Sequence, residues 1–331
     1  WRPRESSALS LCTGDELEET EEEPTRFPLA AAMLHVVFTS VPYVSGLLPW
    51  SRRYKNISSL YQWTIIGIGG VTVVHSAYAT HKEWASGGDA KAAVLALDLT
   101  IATGALLVLI FSGAAWRSRS LVSCHRLLRA CSFRAGILTQ REEMSENDIL
   151  CTLAFWFASV ILRMWRTIIF SEAPDIHVAY FAISSMVLIG SCSYIIDTCR
   201  CLMKMMDSFC YNMIENPDFS KAVMEWNLLQ SLCRTACWHM QLGFLALQAT
   251  ATASVILSIT QTGDHGGQRL FSLSHGLVIA LAVFRTAAWA AAVTDKAVKV
   301  PMIVNSVTVG PDLDMEWMYI VQCITNSQAG F

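Results

Sequence analysis

Six stretches of the chain are apolar for long enough to cross a bilayer, and each has polar flanks: 58–81, 92–116, 148–170, 176–198, 240–262 and 270–293. A spanning helix needs about 20 predominantly apolar residues. Backbone groups in lipid must be satisfied within their own segment, so all six stretches predict helices. The ten-residue alternation of a membrane barrel does not occur. The expected fold class is all-α, a polytopic membrane bundle of six spanning helices over residues 27–293.

A further apolar run begins near Phe27 and closes with SVPYVSGLLPWSRRYK, Ser40 to Lys55. Pro42, Gly46 and Pro49 fall within eight residues, and such a break favours a segment that enters the membrane and returns over one that continues as a helix. The alternative, a continuous crossing, gives seven helices and puts the N-terminus outside. Residues 1–26, with the run DELEETEEEP at 15–24, are acidic and polar and predict a solvated, disordered tail. Its strongly acidic character fits neither a signal peptide nor a transit peptide.

Composition agrees with the pattern, at 53% hydrophobic against 15% charged, well outside the usual range of a soluble domain. Charge placement then orients the bundle. The segments 51–57, 117–147, 199–239 and 294–331 together hold 15 Lys and Arg residues, whereas 82–91, 171–175 and 263–269 hold 3. Short loops rich in Lys and Arg stay in the cytoplasm, so the first set is expected inside. Re-entry of the first segment then leaves the N-terminus cytoplasmic, in a multi-pass protein of the plasma membrane. None of the 11 cysteines falls in the expected outer loops, in keeping with reduced thiols facing the cytosol. The Cys199 and Cys201 pair lacks a matching second pair, so no metal site is expected. The sequon Asn56-Ile57-Ser58 falls on the inner side and predicts no glycosylation.

The amphipathic inner segments 199–239 and 296–325, with Leu228, Leu229, Leu232 and Trp238 at helical spacing, predict continuations of the membrane helices into the cytoplasm. They would pack with one another, either within the subunit alone or while also presenting a face to neighbouring subunits. No repeat, glycine-rich phosphate loop or cofactor motif occurs. The expectation is therefore a protein that is not an enzyme, holds no cofactor and has no nucleic-acid partner.

Charges inside a membrane are costly and usually face a cavity or a partner. Three basic residues lie within spans: Arg163, Arg166 and Arg285. The first two are three apart, on one face, in the outer third of their helix, and Asp98 sits at a comparable depth. His75 and Tyr78 form a similar pair in the first span, as do His177 and Tyr180 at the start of the fourth. With apolar walls from Trp156, Phe157 and Phe181, these residues predict an outward-facing pocket for a small molecule among the first four spans. Structural roles compete with that reading. Arg166 can snorkel to the interface, Arg163 can pair with Asp98, and His177 and Tyr180 can anchor their helix at the interface. Arg285 and Asp197 are expected to form a structural pair nearer the inner side.

Two familiar seven-helix receptors lose their chemistry here. The inner end of the second span reads GAAWRSRS, no N-P-x-x-Y motif occurs in 270–293, and no lysine for a retinal Schiff base lies in 240–293. Three segments instead resemble the insect-type gustatory and odorant receptor superfamily. SGLLPWSRRYKNISSLYQWTIIG, Ser45 to Gly67, resembles its Gly and Pro-containing entry segment, basic stretch and first helix. TDKAVKVPMIVNS, Thr294 to Ser306, resembles its cytoplasmic anchor, and ITNSQAGF, Ile324 to Phe331, the turn that opens its last helix.

The resemblance implies a chemoreceptor-like, ligand-gated cation channel subunit that assembles as a homo- or heterotetramer around its last helices. It points to the same outer region for ligand entry. It also implies that 294–331 is an anchor leading to a pore-lining helix that starts near Gly330 and Phe331 and is missing from this chain. A seven-helix G-protein-coupled receptor or a transporter-like protein with an extracellular N-terminus is the alternative. An inverted-repeat transporter would usually show broken helices in both halves, and one broken segment occurs here.

Overall fold

The computed structural model describes residues 55–87, 89–117, 141–169, 176–215, 219–260, 266–306 and 314–326. Among them the chain forms seven helices and no strand: α1 (Lys55–Ala85), α2 (Asp89–Arg117), α3 (Arg141–Ile169), α4 (Ile176–Glu215), α5 (Phe219–Thr260), α6 (Gly266–Asn305) and α7 (Asp314–Asn326). The acidic tail, the run 27–49, the basic loop 118–134 and the terminal Gly330 and Phe331 lie outside the described residues.

Among the described residues, four stretches are long and apolar enough to cross a membrane: Lys91–Ser112, Ile176–Glu215, Lys221–Ile259 and Ser274–Asn305. The protein is thus a membrane-embedded helical bundle. Both remaining predicted spans, 58–81 and 148–170, are helical as far as they are described, but polar residues such as Gln62, His75, Arg163 and Arg166 interrupt their apolar runs.

The helix α2 is the hub, packed against α1, α4, α5 and α6. Its sequence DAKAAVLALDLTIATGALL is rich in small residues, which let membrane helices approach closely where no hydrophobic force drives them together. Val94, Leu97, Ile101 and Val108 are almost wholly buried as a result. A Cβ added at Gly276 of α6 would stand 2.7 Å from Cδ2 of Leu97 and 3.0 Å from its Cδ1. Both are tips of a flexible side chain, though one fully enclosed by neighbours. Gly276→Ala is therefore expected to destabilise by about 1 kcal/mol, the low end of overpacking. Thermal unfolding in nanodiscs checks this against Gly67→Ala, where a Cβ meets nothing within 4 Å and no loss is expected.

Helices α4, α5 and α6 are 40, 42 and 40 residues long. At about 1.5 Å per residue they run roughly 60 Å, twice the ~30 Å thickness of a hydrocarbon core. Their extra length lies at the end where α4 stops, α5 starts and α6 stops, and α7 packs there against α5 and α6. The hydrophobic core continues into this second bundle through Leu202, Met206, Phe209, Trp226, Leu229, Val300, Val304, Ile320 and Ile324. The rings of Phe209 and Trp226 sit 5.4 Å apart, and Trp317 Nε1 donates to the Val304 carbonyl at 3.4 Å. Leu232 is buried and Leu228 packs against the core, while Trp238 is exposed. The amphipathic segments 199–239 and 296–325, as far as they are described, therefore pack on one another within the chain.

Candidate functional site

At the opposite end of the bundle, five helices bring polar side chains into the interior. Asp98 stands about two and a half turns into α2, and Arg163 about two turns before the end of α3. Both are buried, at 4% and 2% exposure. Arg163 donates to one carboxylate oxygen, Asp98 Oδ2, through Nη2 at 2.8 Å and Nε at 3.1 Å. Its Nη1 reaches Thr167 Oγ1 at 3.4 Å, and that hydroxyl donates to the Arg163 carbonyl at 3.1 Å. The guanidinium is held from its own helix by i+4 spacing and aimed across at α2.

The other carboxylate oxygen, Asp98 Oδ1, faces His275 Nε2 of α6 at 3.4 Å. Among the described residues, neither atom has a hydrogen-bond partner, although both are buried. Phe181 of α4 closes the site edge-on, its ring 5.0 Å from the imidazole at an interplanar angle of 84°. One carboxylate thus ties α2 to α3 and meets α6, beneath an aromatic lid from α4. Removing either partner of such a buried pair leaves the other charge uncompensated.

A second group adjoins the first through α4, since His177 precedes Phe181 by four residues and shares its face. The ring of His75, from α1, lies 4.6 Å from that of His177 and 5.3 Å from that of Tyr180. Among the described residues, Nδ1 of His75 is buried without a hydrogen-bond partner. Trp156 of α3 is half-buried and donates Nε1 to the Ala182 carbonyl at 3.2 Å, which fixes α3 beside α4.

The structure therefore gathers Asp98, Arg163, His75, His177 and Tyr180, with Trp156 and Phe181, at one end of the bundle. Arg166 is buried one turn from Arg163. Tyr78 and Phe157 point away from the interior, 67% and 50% exposed. Asp197 is exposed and Arg285 half-buried. Close to that level, the Arg200 guanidinium lies 4.9 Å over the Trp289 ring, a cation–π link between α4 and α6 that charge pairing alone does not suggest.

His275 is the residue that sequence reasoning missed. Its signal was a lone imidazole five positions into the span 270–293, at a depth matching Asp98. It lacks the tyrosine three positions on that marks His75 and His177. With His275 the cluster draws on α6 as well as on the first four helices.

No protein-family model matches the sequence, and no curated protein matches it either. Among the described residues, no group of three or more His, Cys, Asp or Glu side chains could hold a metal ion.

Proposed function

We propose that this protein is a subunit of a ligand-gated cation channel of the gustatory-receptor-like type, with six spanning helices and a cytoplasmic N-terminus in the plasma membrane. A small molecule bound at the buried polar cluster opens a pore at the axis of a tetramer. The observation that carries the reading is the pairing of two features on the same helices. Helices α4 and α6 contribute Phe181, His177 and His275 to the cluster at one end and run about 60 Å into a packed bundle at the other. A ligand that prefers one arrangement of the cluster shifts that equilibrium, and continuous helices carry the shift beyond the membrane.

The faces of α1 and α3 support the count of six. On α3, Thr152, Ser159, Arg163, Arg166 and Thr167 are buried, while Phe157, Ile161, Met164, Trp165 and Ile168 are exposed. On α1, Thr72 and Ser76 are buried, and Leu60, Trp63, Val71 and Val74 are exposed. Both helices turn polar groups inward and apolar ones outward, which suits a lipid surroundings better than water. Averaging along the sequence hides this, because it counts an inward arginine as though lipid met it.

The side of the N-terminus tests the topology. An epitope placed ahead of Trp1 in the full-length protein is expected to stain only after cells are permeabilised. Staining of intact cells would sink the channel topology and favour a seven-helix receptor. Ligand-evoked cation current from cells expressing the full-length protein then tests the activity itself.

A further inference from the structure

We propose that the seam between α1 and α4, lined by His75, His177 and Tyr180, takes an uncharged, planar aromatic molecule whose hydroxyl bonds to Nδ1 of His75. The proposal rests on the reading of this end of the bundle as a ligand site, but not on the channel. It names the half of the cluster that receives the ligand and the chemistry that half accepts.

The two halves differ in what opening them costs. Arg163 and Asp98 are 2% and 4% exposed and share two close hydrogen bonds, and parting such a buried pair leaves both charges without compensation. The seam has no such tie. Among the described residues, α1 packs along α2, meets α4 only in a short stretch and packs against no other helix. That stretch includes the rings of His75 and His177 at 4.6 Å and of His75 and Tyr180 at 5.3 Å, contacts that an inserted aromatic ring replaces in kind. His75 and Tyr180 are half-buried, so the seam reaches the bundle surface.

The walls set the ligand's chemistry. No Asp, Glu, Lys or Arg occurs on α1 from 56 to 81 or on α4 from 176 to 196. A charged group in the seam would find no counter-charge on either wall, at a depth where that is costly, so the ligand is uncharged. Its polar group follows from His75, whose Nδ1 is buried and, among the described residues, lacks a hydrogen-bond partner. A buried polar atom without a partner is uncommon and marks a place for one. An imidazole nitrogen donates or accepts according to the tautomer, and a hydroxyl does both.

The test uses the purified full chain in nanodiscs, with 2-naphthol as the probe and naphthalene, which lacks the hydroxyl, for comparison. In the wild type, saturating 2-naphthol is expected to raise the thermal unfolding midpoint by about 2 °C, and naphthalene to bind about fivefold more weakly. His75→Phe keeps a ring and removes Nδ1, so it should bring 2-naphthol down to the level of naphthalene. A preference for 2-naphthol that survives His75→Phe overturns the proposal, and so does a wild type that neither probe stabilises. Tyr180→Leu removes a ring from the α4 wall and should weaken both probes several-fold. Unchanged affinity in that variant overturns the seam, and this comparison decides should His75→Phe fail to fold. A rise that persists in both variants and is lost in His275→Phe would keep the ligand site and move it to the Asp98 half, sinking the seam alone. None of these readouts needs a current, so the channel reading stands or falls separately.

Discussion

Arg163→Ala is expected to lower stability by about 3–5 kcal/mol, the largest loss of any single substitution in the bundle. The side chain is 2% exposed and makes both close hydrogen bonds to Asp98 Oδ2. Without it the carboxylate, itself 4% exposed, keeps only the 3.4 Å approach of His275 in surroundings that water does not reach. The cost comes less from the lost bonds than from the stranded charge. Arg163→Lys should recover only part of it, because an ammonium is a point donor and cannot offer two nitrogens in a planar fork. The double variant Asp98→Leu with Arg163→Met should recover most of it, since it removes both charges and keeps the volume. Denaturant unfolding in micelles provides the comparison. A double variant as unstable as Arg163→Ala would mean that packing of the arginine stem, and not the charge, is what the site needs. The same double variant separates structure from recognition, because a stable protein without ligand response would place the pair in the binding chemistry.

The sequence made the six helical stretches legible through apolar length alone, and it exposed Asp98 and Arg163 because a charge within such a run has few places to go. Depth was readable for both, and depth brought them together. Angle about the helix axis was not. Tyr78 follows His75 by three positions, which puts them about 60° apart, and the edge of the buried face falls between them. Trp156 and Phe157 are neighbours in sequence and about 100° apart, so one packs against α4 while the other is half exposed.

Length was legible as well. The spans 176–198, 240–262 and 270–293 were expected to continue into the amphipathic segments beside them, and each helix does continue without interruption into the second bundle. Alternation of apolar residues such as Leu229 and Leu232 announced that helix. It could not announce that Trp238, six positions and about 240° beyond Leu232, would remain on the outside.

Gly104→Ala is the second large effect expected, with a loss of about 1–3 kcal/mol and the upper part of that range favoured by the geometry. A Cβ at Gly104 would lie 2.0 Å from Thr250 Oγ1, 2.7 Å from its Cγ2 and 2.8 Å from its Cβ. A rotamer change can move the first two atoms, but the third is set by the α5 backbone, so α2 and α5 must part. That separation would open the contacts of Ala105, Val108, Ala246 and Leu247, all buried. The Thr250 hydroxyl donates to the Ala246 carbonyl at 2.7 Å, so its hydrogen bond does not depend on the glycine. Thr250→Gly in the Gly104→Ala background should therefore recover much of the loss, while Thr250→Ser, which keeps the Cβ, should recover little. Gly243→Ala serves as the control, because a Cβ there meets nothing within 4 Å and alanine favours a helix. Equal unfolding midpoints for Gly104→Ala and Gly243→Ala would mean that α2 and α5 cross less closely than this. The hub role of α2 would then have to rest on its leucines and valines instead of on backbone approach.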